Sequence, residues 1–267
     1  MPDPERDAEL LLRHALGWDA ASLVARSSEP LEGQRLTRFD NLVAERSRRV
    51  PLQHLVGSVE FWRREFLVSK AALIPRPETE LLVERALLAL ASREAPLVID
   101  VGTGTGCIAL SIAAERPDAQ VYALDVSAEA LALAQENARR LGLAQRVMFR
   151  QGDLLAPVAD LAGRVHVIAS NPPYLDASEM HTLAPEVSDH EPRVALLPPD
   201  GDRYSMYRRL APQARGLLSD RGLLLLEIGL GMEREVRSIC EAAGLSILEV
   251  RADLQGIPRM IAARFLG

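Results

Sequence analysis

The chain has 267 residues, and its 31 basic against 37 acidic side chains give a formal charge of −6, which removes any bulk electrostatic reason to bind DNA. Apolar residues make up 48% and charged residues 25%, a globular composition that argues against disorder and can build a sizeable core in one or two domains. Apolar runs such as 86–91 and 223–226 are far short of the roughly 20 residues that span a bilayer, the acidic start lacks an apolar signal core, and Cys107 and Cys240 are too few for a disulfide framework, so a protein of the cytoplasm, off the membrane, is expected.

In chain order, residues 1–50 read as about three or four short helices. Leu10, Leu11, Leu12, Ala15 and Leu16 recur at helical spacing, as do Leu31, Leu36, Phe39, Leu42 and Val43, with Gly17 and the 27–30 cluster as punctuation. The run 45–49 reads as a solvated helix face or a contact for a protein partner. Between Leu55 and Leu73 the pattern becomes aromatic and β-branched, and Arg63-Arg64 between two such runs suggests a β-hairpin. Pro75 and Pro77 mark a boundary before a helix over 78–91. From Leu97 onward, strands over 97–101, 120–125, 146–150, 165–170, 222–228, 245–250 and 260–265 alternate with helices over 107–115, 127–141 and 233–243. Ser127 reads as an N-cap, and Gly142 and Gly244 as stops. Alternation of this kind predicts an α/β fold with a mostly parallel sheet and helices on both faces. The expected divisions are a helical unit over 1–54, a hairpin linker over 55–75 and an α/β domain over 76–267.

Ligands of such sheets sit beyond the carboxyl ends of the strands. The first strand of the α/β part runs directly into Gly102-Thr103-Gly104-Thr105-Gly106 and then a helix. Glycines at alternate positions let the backbone pass close to a ligand. The spacing is not that of a dinucleotide fingerprint, because Cys107 stands where the third glycine is needed, and this weighs against a nicotinamide cofactor. Asp125, 19 positions after Gly106 at the end of the second strand, can accept hydrogen bonds from both hydroxyls of a ribose. Asp153 can reach a base's exocyclic amine and Leu154 can cover a ring face, although a surface turn explains Gly152-Asp153 equally well.

The most specific segment is Ser170-Asn171-Pro172-Pro173-Tyr174. Two prolines fix φ and supply no donors, so the Pro172 carbonyl is aimed outward beside the Asn171 side-chain carbonyl. Two converging acceptors suit a planar NH2 group, and Tyr174 can lie flat against it. The five histidines show no ligand spacing, and no metal is expected.

These residues carry a resemblance. Residues 100–106 with Asp125 resemble the S-adenosyl-L-methionine site of Rossmann-like class I methyltransferases, and Asn171-Pro172-Pro173-Tyr174 resembles the motif of enzymes that methylate planar nitrogens. That motif alone leaves amino-methylating DNA enzymes open. With Pro51-Leu52-Gln53-His54-Leu55-Val56-Gly57, Phe61-Trp62, Ile74-Pro75-Arg76-Pro77-Glu78-Thr79-Glu80 and Glu191-Pro192-Arg193-Val194-Ala195-Leu196, the chain is similar, nearly end to end, to the peptide-chain release factor glutamine N5-methyltransferase family. It departs from that pattern at Leu154, where some members have an aromatic, and at Pro198-Pro199-Asp200-Gly201, where the family tends to be glycine-rich. The resemblance implies a Rossmann-like sheet with an antiparallel final strand, and methyl transfer from S-adenosyl-L-methionine to the glutamine of a Gly-Gly-Gln motif in release factors, by a monomer with no direct DNA contact. It implies cofactor contacts from Gly102, Thr103, Gly104, Thr105, Gly106, Asp125, Asp153, Leu154 and Asn171. Asn171 and Pro172 carry catalysis in this reading, and Pro173, Tyr174, Arg76 and Glu191 complete the substrate site. Arg76 can meet the substrate or form an inter-domain ion pair with Glu191.

Overall fold

The computed structural model describes residues 3–266. Four helices come first: α1 (Pro4–Leu16), α2 (Ala20–Ala25), α3 (Gly33–Ser47) and α4 (Leu52–Val56). Asp3 caps α1 by accepting from the Arg6 N–H at 3.1 Å, and Gly17 ends it in the left-handed region at φ 67°. Leu11 and Ala15 are buried inward.

The run 45–49 is not the solvated face expected from its charge. Arg46 is buried and donates to Asp7 Oδ2 at 2.7 Å, Glu186 Oε1 at 2.9 Å and the Val50 carbonyl at 3.2 Å, and Arg49 reaches Glu186 at 2.8 Å. Ser47 and Arg48, the latter paired with Glu45, stay exposed. A buried guanidinium needs such partners, and these tie the helical unit to a segment that follows the Asn171 corner.

A hairpin follows, β1 (Ser58–Phe61) against β2 (Arg64–Leu67) in antiparallel register. Its turn is Trp62-Arg63, both at positive φ (48° and 58°), so it lies one residue earlier than the Arg63-Arg64 pair suggested. The Trp62 N–H donates to Glu80 Oε1 at 2.7 Å, which anchors this strained turn to α5 (Glu80–Leu90).

The main sheet contains β3 (Leu97–Val101), β4 (Gln120–Asp125), β5 (Val147–Gln151), β6 (Val165–Ser170), β7 (Leu218–Glu227), β8 (Ser246–Ala252) and β9 (Pro258–Arg264), ordered β5-β4-β3-β6-β7-β9-β8. β9 runs antiparallel to both neighbours, β7 and β8, while β3, β4, β5, β6 and β7 pair in parallel. Side chains alternate between two buried faces, which is why the strands read as continuous apolar runs. Val98, Val121, Val167 and Leu225 pack under α5 and α6 (Cys107–Glu115), with Phe61 and Phe66 of the hairpin. Ile99, Leu124, Ile168 and Leu224 face α10 (Ser205–Leu217) and α11 (Glu233–Ala242). The remaining helices are α7 (Ala128–Arg140) and two single turns, α8 (Pro185–Ser188) and α9 (Arg193–Leu196).

α10 has no counterpart among the sequence expectations. Its apolar period is present in Tyr207, Leu210, Ala211, Ala214 and Leu217, all buried, but Pro212 stands inside it. Pro212 is exposed, so the backbone carbonyl it leaves without a partner faces water and the helix persists.

Candidate active site

β3 and β6 are neighbours although the chain makes β4 and β5 between them, so strand order reverses at this pair and a crevice opens beyond their carboxyl ends. The two most specific sequence segments leave the sheet there: the glycine loop after Val101 and the proline corner after Ser170. Ser170 Oγ donates to the Val101 carbonyl at 2.8 Å and fixes one strand end against the other.

The glycine loop is held by its own backbone. Gly102 and Thr103 donate to the Leu124 carbonyl at 2.9 and 2.8 Å, and Gly106 donates to the Thr103 carbonyl at 2.8 Å. Gly102, Gly104 and Gly106 all have positive φ (72°, 55° and 83°), which glycine adopts without strain. A Cβ on Gly102 would meet nothing within 4 Å, so this part of the loop faces open space. A Cβ on Gly106 would stand 2.9 Å from Leu110 Cδ1 and 3.2 Å from Ala134 Cβ. Gly106 thus serves close packing against α6 and α7, whereas Gly102, Thr103, Gly104 and Thr105 line the cleft.

Two carboxylates brace this loop. Asp125 accepts from the Gly104 N–H and the Ser127 N–H, both at 2.9 Å, which leaves lone pairs on both oxygens for a ligand. Asp100 accepts from Thr103 Oγ1 at 2.6 Å and the Ala109 N–H at 3.1 Å through one oxygen, and its other oxygen is buried with no partner. Burial pushes its carboxyl up to about 7. Asn137 of α7 joins the loop to the hairpin: its Nδ2 donates to the Thr105 carbonyl at 2.9 Å and the Leu67 carbonyl at 3.1 Å, and its Oδ1 accepts from the Leu67 N–H at 2.7 Å.

The cleft holds about 1170 Å³ of empty space including its open mouth, and Asp125, Asp153, Leu154, Asn171, Pro172, Pro173 and Arg76 join the loop in lining it. Asp153 is paired with Arg209, another lining residue, and Leu154 is buried at φ 50°. The exposed Val126 adds an apolar wall beside Asp125. Tyr174 lies deeper. Its ring packs over Gly229, where a Cβ would come within 2.9 Å of Cδ2, and burial pushes its hydroxyl up to about 12. Arg76 donates to Glu191 Oε1 at 2.5 Å, and burial of that glutamate raises its pKa despite the guanidinium. Of the sequence-expected site residues, Gly106 and Glu191 are buried behind the cleft wall, and Tyr174 stands half-buried next to the lining residues Pro172 and Pro173.

Sequence reasoning missed two groups behind Asn171. Asn171 Nδ2 donates to Thr79 Oγ1 at 3.4 Å, and Thr79 Oγ1 donates to Glu227 Oε2 at 2.6 Å. Glu227 ends β7 and is buried, and burial pushes its carboxyl up to about 7. The signal was available: a carboxylate closing the apolar run 223–226 at a strand's carboxyl end stands where this sheet places its crevice. Among the described residues, no cluster of three or more His, Cys, Asp or Glu side chains is placed to hold a metal ion, and no helix is long and apolar enough to cross a membrane.

Two family models match parts of the chain. Residues 1–57 match the family model described as the PrmC N-terminal domain, and residues 77–190 match the methyltransferase small domain. The release factor glutamine methyltransferase of Cereibacter sphaeroides is 46% identical over 97% of this chain and 90% of its own length. That of Burkholderia pseudomallei is 42% identical over 98% and 92%. Among solved structures, precorrin-6y C5,15-methyltransferase from Geobacter metallireducens shares the fold with a TM-score of 0.51, at 11% identity over 76% of this chain and 93% of that one.

Proposed function

The chain belongs to the release factor glutamine methyltransferase family, and from that premise we propose that it moves the methyl group of S-adenosyl-L-methionine to the N5 side-chain nitrogen of the glutamine in the Gly-Gly-Gln motif of peptide-chain release factors. The N–CH3 bond forms as the S–CH3 bond breaks, the methylated nitrogen gives up one N–H proton to water at the open mouth of the cleft, and S-adenosyl-L-homocysteine is the neutral product left behind. The observation that carries this reading is the meeting of the glycine loop and the Asn171-Pro172 corner in one cleft. The residues fit the donor. Gly102 turns an open, Cβ-free backbone toward the cleft, Asp125 keeps acceptor capacity for ribose hydroxyls, and Val126 and Leu154 offer apolar surface to a base.

When bound, S-adenosyl-L-methionine supplies a methyl carbon made electrophilic by its sulfonium. The protein's part is alignment. A carboxamide nitrogen is a poor nucleophile because its lone pair is delocalised, so the Asn171 side-chain carbonyl and the Pro172 main-chain carbonyl accept its two in-plane N–H bonds and hold electron density at nitrogen. Orientation of this kind is worth up to roughly 7–11 kcal/mol in favourable cases. Arg76, steadied by Glu191 at the cleft wall, meets the backbone of the release factor, and the helical unit of residues 1–54 docks it.

The test is mass spectrometry of a release factor incubated with this protein and S-adenosyl-L-methionine. A single methyl on the Gly-Gly-Gln glutamine is expected, and an unmodified glutamine with intact, folded partners would refute the reading. Asp125→Ala removes two acceptors from the loop and the ribose, and affinity for S-adenosyl-L-methionine should fall by about 10- to 100-fold in calorimetry, the size of one or two charge-assisted hydrogen bonds.

A further inference from the structure

A primary carboxamide can sit in either of two orientations that exchange its oxygen and its NH2, and only one of them offers an acceptor to an incoming N–H. If Asn171 is to present oxygen to the cleft, something must choose. We propose that Thr79 and Glu227 form a one-directional hydrogen-bond relay that fixes the carboxamide of Asn171 with its oxygen toward the cleft, which makes both of them positioning residues for methyl transfer. The inference rests on the function proposed above, and it deepens the account of that site.

The direction follows from the chemistry of three groups. Burial pushes the Glu227 carboxyl up to about 7, and in its ionised form, held above that value, it only accepts. Thr79 has one hydroxyl proton, and the 2.6 Å contact with Glu227 Oε2 takes it. At 3.4 Å from Asn171, the Thr79 oxygen has only lone pairs left to offer, so it faces Nδ2 and leaves Oδ1 free. Both members are shielded from water, Thr79 at 3% and Glu227 at 4% exposure, so solvent does not scramble the order. The pieces come from separate parts of the chain: the 3₁₀ turn Pro77–Thr79, the end of β7 and the corner after β6. Glu227 is itself held, since the Tyr207 hydroxyl donates to its main-chain carbonyl at 2.8 Å.

The chain contains only three asparagines, Asn41, Asn137 and Asn171, so protein labelled with ¹⁵N-asparagine shows three side-chain NH2 pairs in NMR. Glu227→Leu leaves the Thr79 hydroxyl free either to accept from the carboxamide NH2 or to donate to its oxygen, so both orientations are satisfied, and Thr79→Val removes the hydroxyl altogether. In both variants the Asn171 pair should shift and exchange with solvent about tenfold faster, whereas Thr79→Ser should leave it as in the parent. In single-turnover assays on a release factor, kcat should fall about tenfold for Thr79→Val and Glu227→Leu, with Thr79→Ser and the affinity for S-adenosyl-L-methionine near parental values. An Asn171 pair unmoved in a folded Glu227→Leu or Thr79→Val protein overturns the relay, as does a Thr79→Ser variant as impaired as Thr79→Val. Should Thr79→Val fail to fold, Glu227→Leu, which removes the buried carboxyl, decides alone. If the parent protein transfers no methyl to the release factor, the proposed function fails, and the NMR comparison still decides the relay.

Discussion

Asn171→Ala is expected to slow methyl transfer by about 10²- to 10³-fold, the usual cost of deleting one preorganised polar group at a reacting centre. The substitution removes the side-chain acceptor at the proline corner and leaves the Pro172 carbonyl alone, so the incoming nitrogen keeps one tether and loses its fixed plane. Binding of S-adenosyl-L-methionine should change by no more than about threefold, because the glycine loop is braced independently by Asp125, Asp100 and the Leu124 carbonyl. Single-turnover methylation followed by mass spectrometry, paired with calorimetry of the same preparation, separates the two quantities. Parental turnover in that variant would remove Asn171 from the chemistry.

The largest loss of stability is expected from Asn137→Ala. Its carboxamide satisfies the Leu67 N–H, the Leu67 carbonyl and the Thr105 carbonyl, and the side chain is fully buried. Truncation leaves those backbone groups without partners in a closed space, at about 1–3 kcal/mol for each one that water does not reach. A total near 3–5 kcal/mol is expected, seen as a lower urea midpoint with an unchanged slope and a Tm lower by roughly 10 °C. Asn137→Leu has similar volume and should not restore stability, since the deficit lies in hydrogen bonding. Because Thr105 belongs to the glycine loop, affinity for S-adenosyl-L-methionine should weaken in the same variants. Stability within about 1 kcal/mol of the parent would show that water replaces the side chain.

Much of the architecture was legible in the pattern of residues. The strand from Leu97 to Val101, the glycine loop and the helix after it are local matters of propensity and punctuation, and all stand where expected. Ser127 accepts from the Ala130 N–H as an N-cap should, and Gly142 follows α7 at φ 71°. The antiparallel final strand stands as the family resemblance implied rather than as the alternation alone indicated. What escaped depends on contacts distant in sequence. Pro212 hid α10 because nothing local says that a proline faces water. Arg46 looked solvated because its partners Asp7 and Glu186 lie 39 and 140 positions away. Thr79 and Glu227 are 148 positions apart, and their hydrogen bond exists only once β7 lies beside β6. Motifs reveal which groups touch a ligand more readily than which groups hold those in place.

The position of β9 has a consequence for synthesis. It is the last of the seven to be made, yet it fills the slot between β7 and β8, and its Met260–Arg264 stretch is zipped to Leu223–Glu227. A nascent chain that has emerged only as far as residue 257 therefore carries two raw strand edges facing a gap, and much of the apolar surface that Met260, Ile261 and Ala263 later cover is open to water. Folding of the sheet must wait for residues 258–264, and a polypeptide released before them would be a target for aggregation or proteolysis rather than a weakened enzyme.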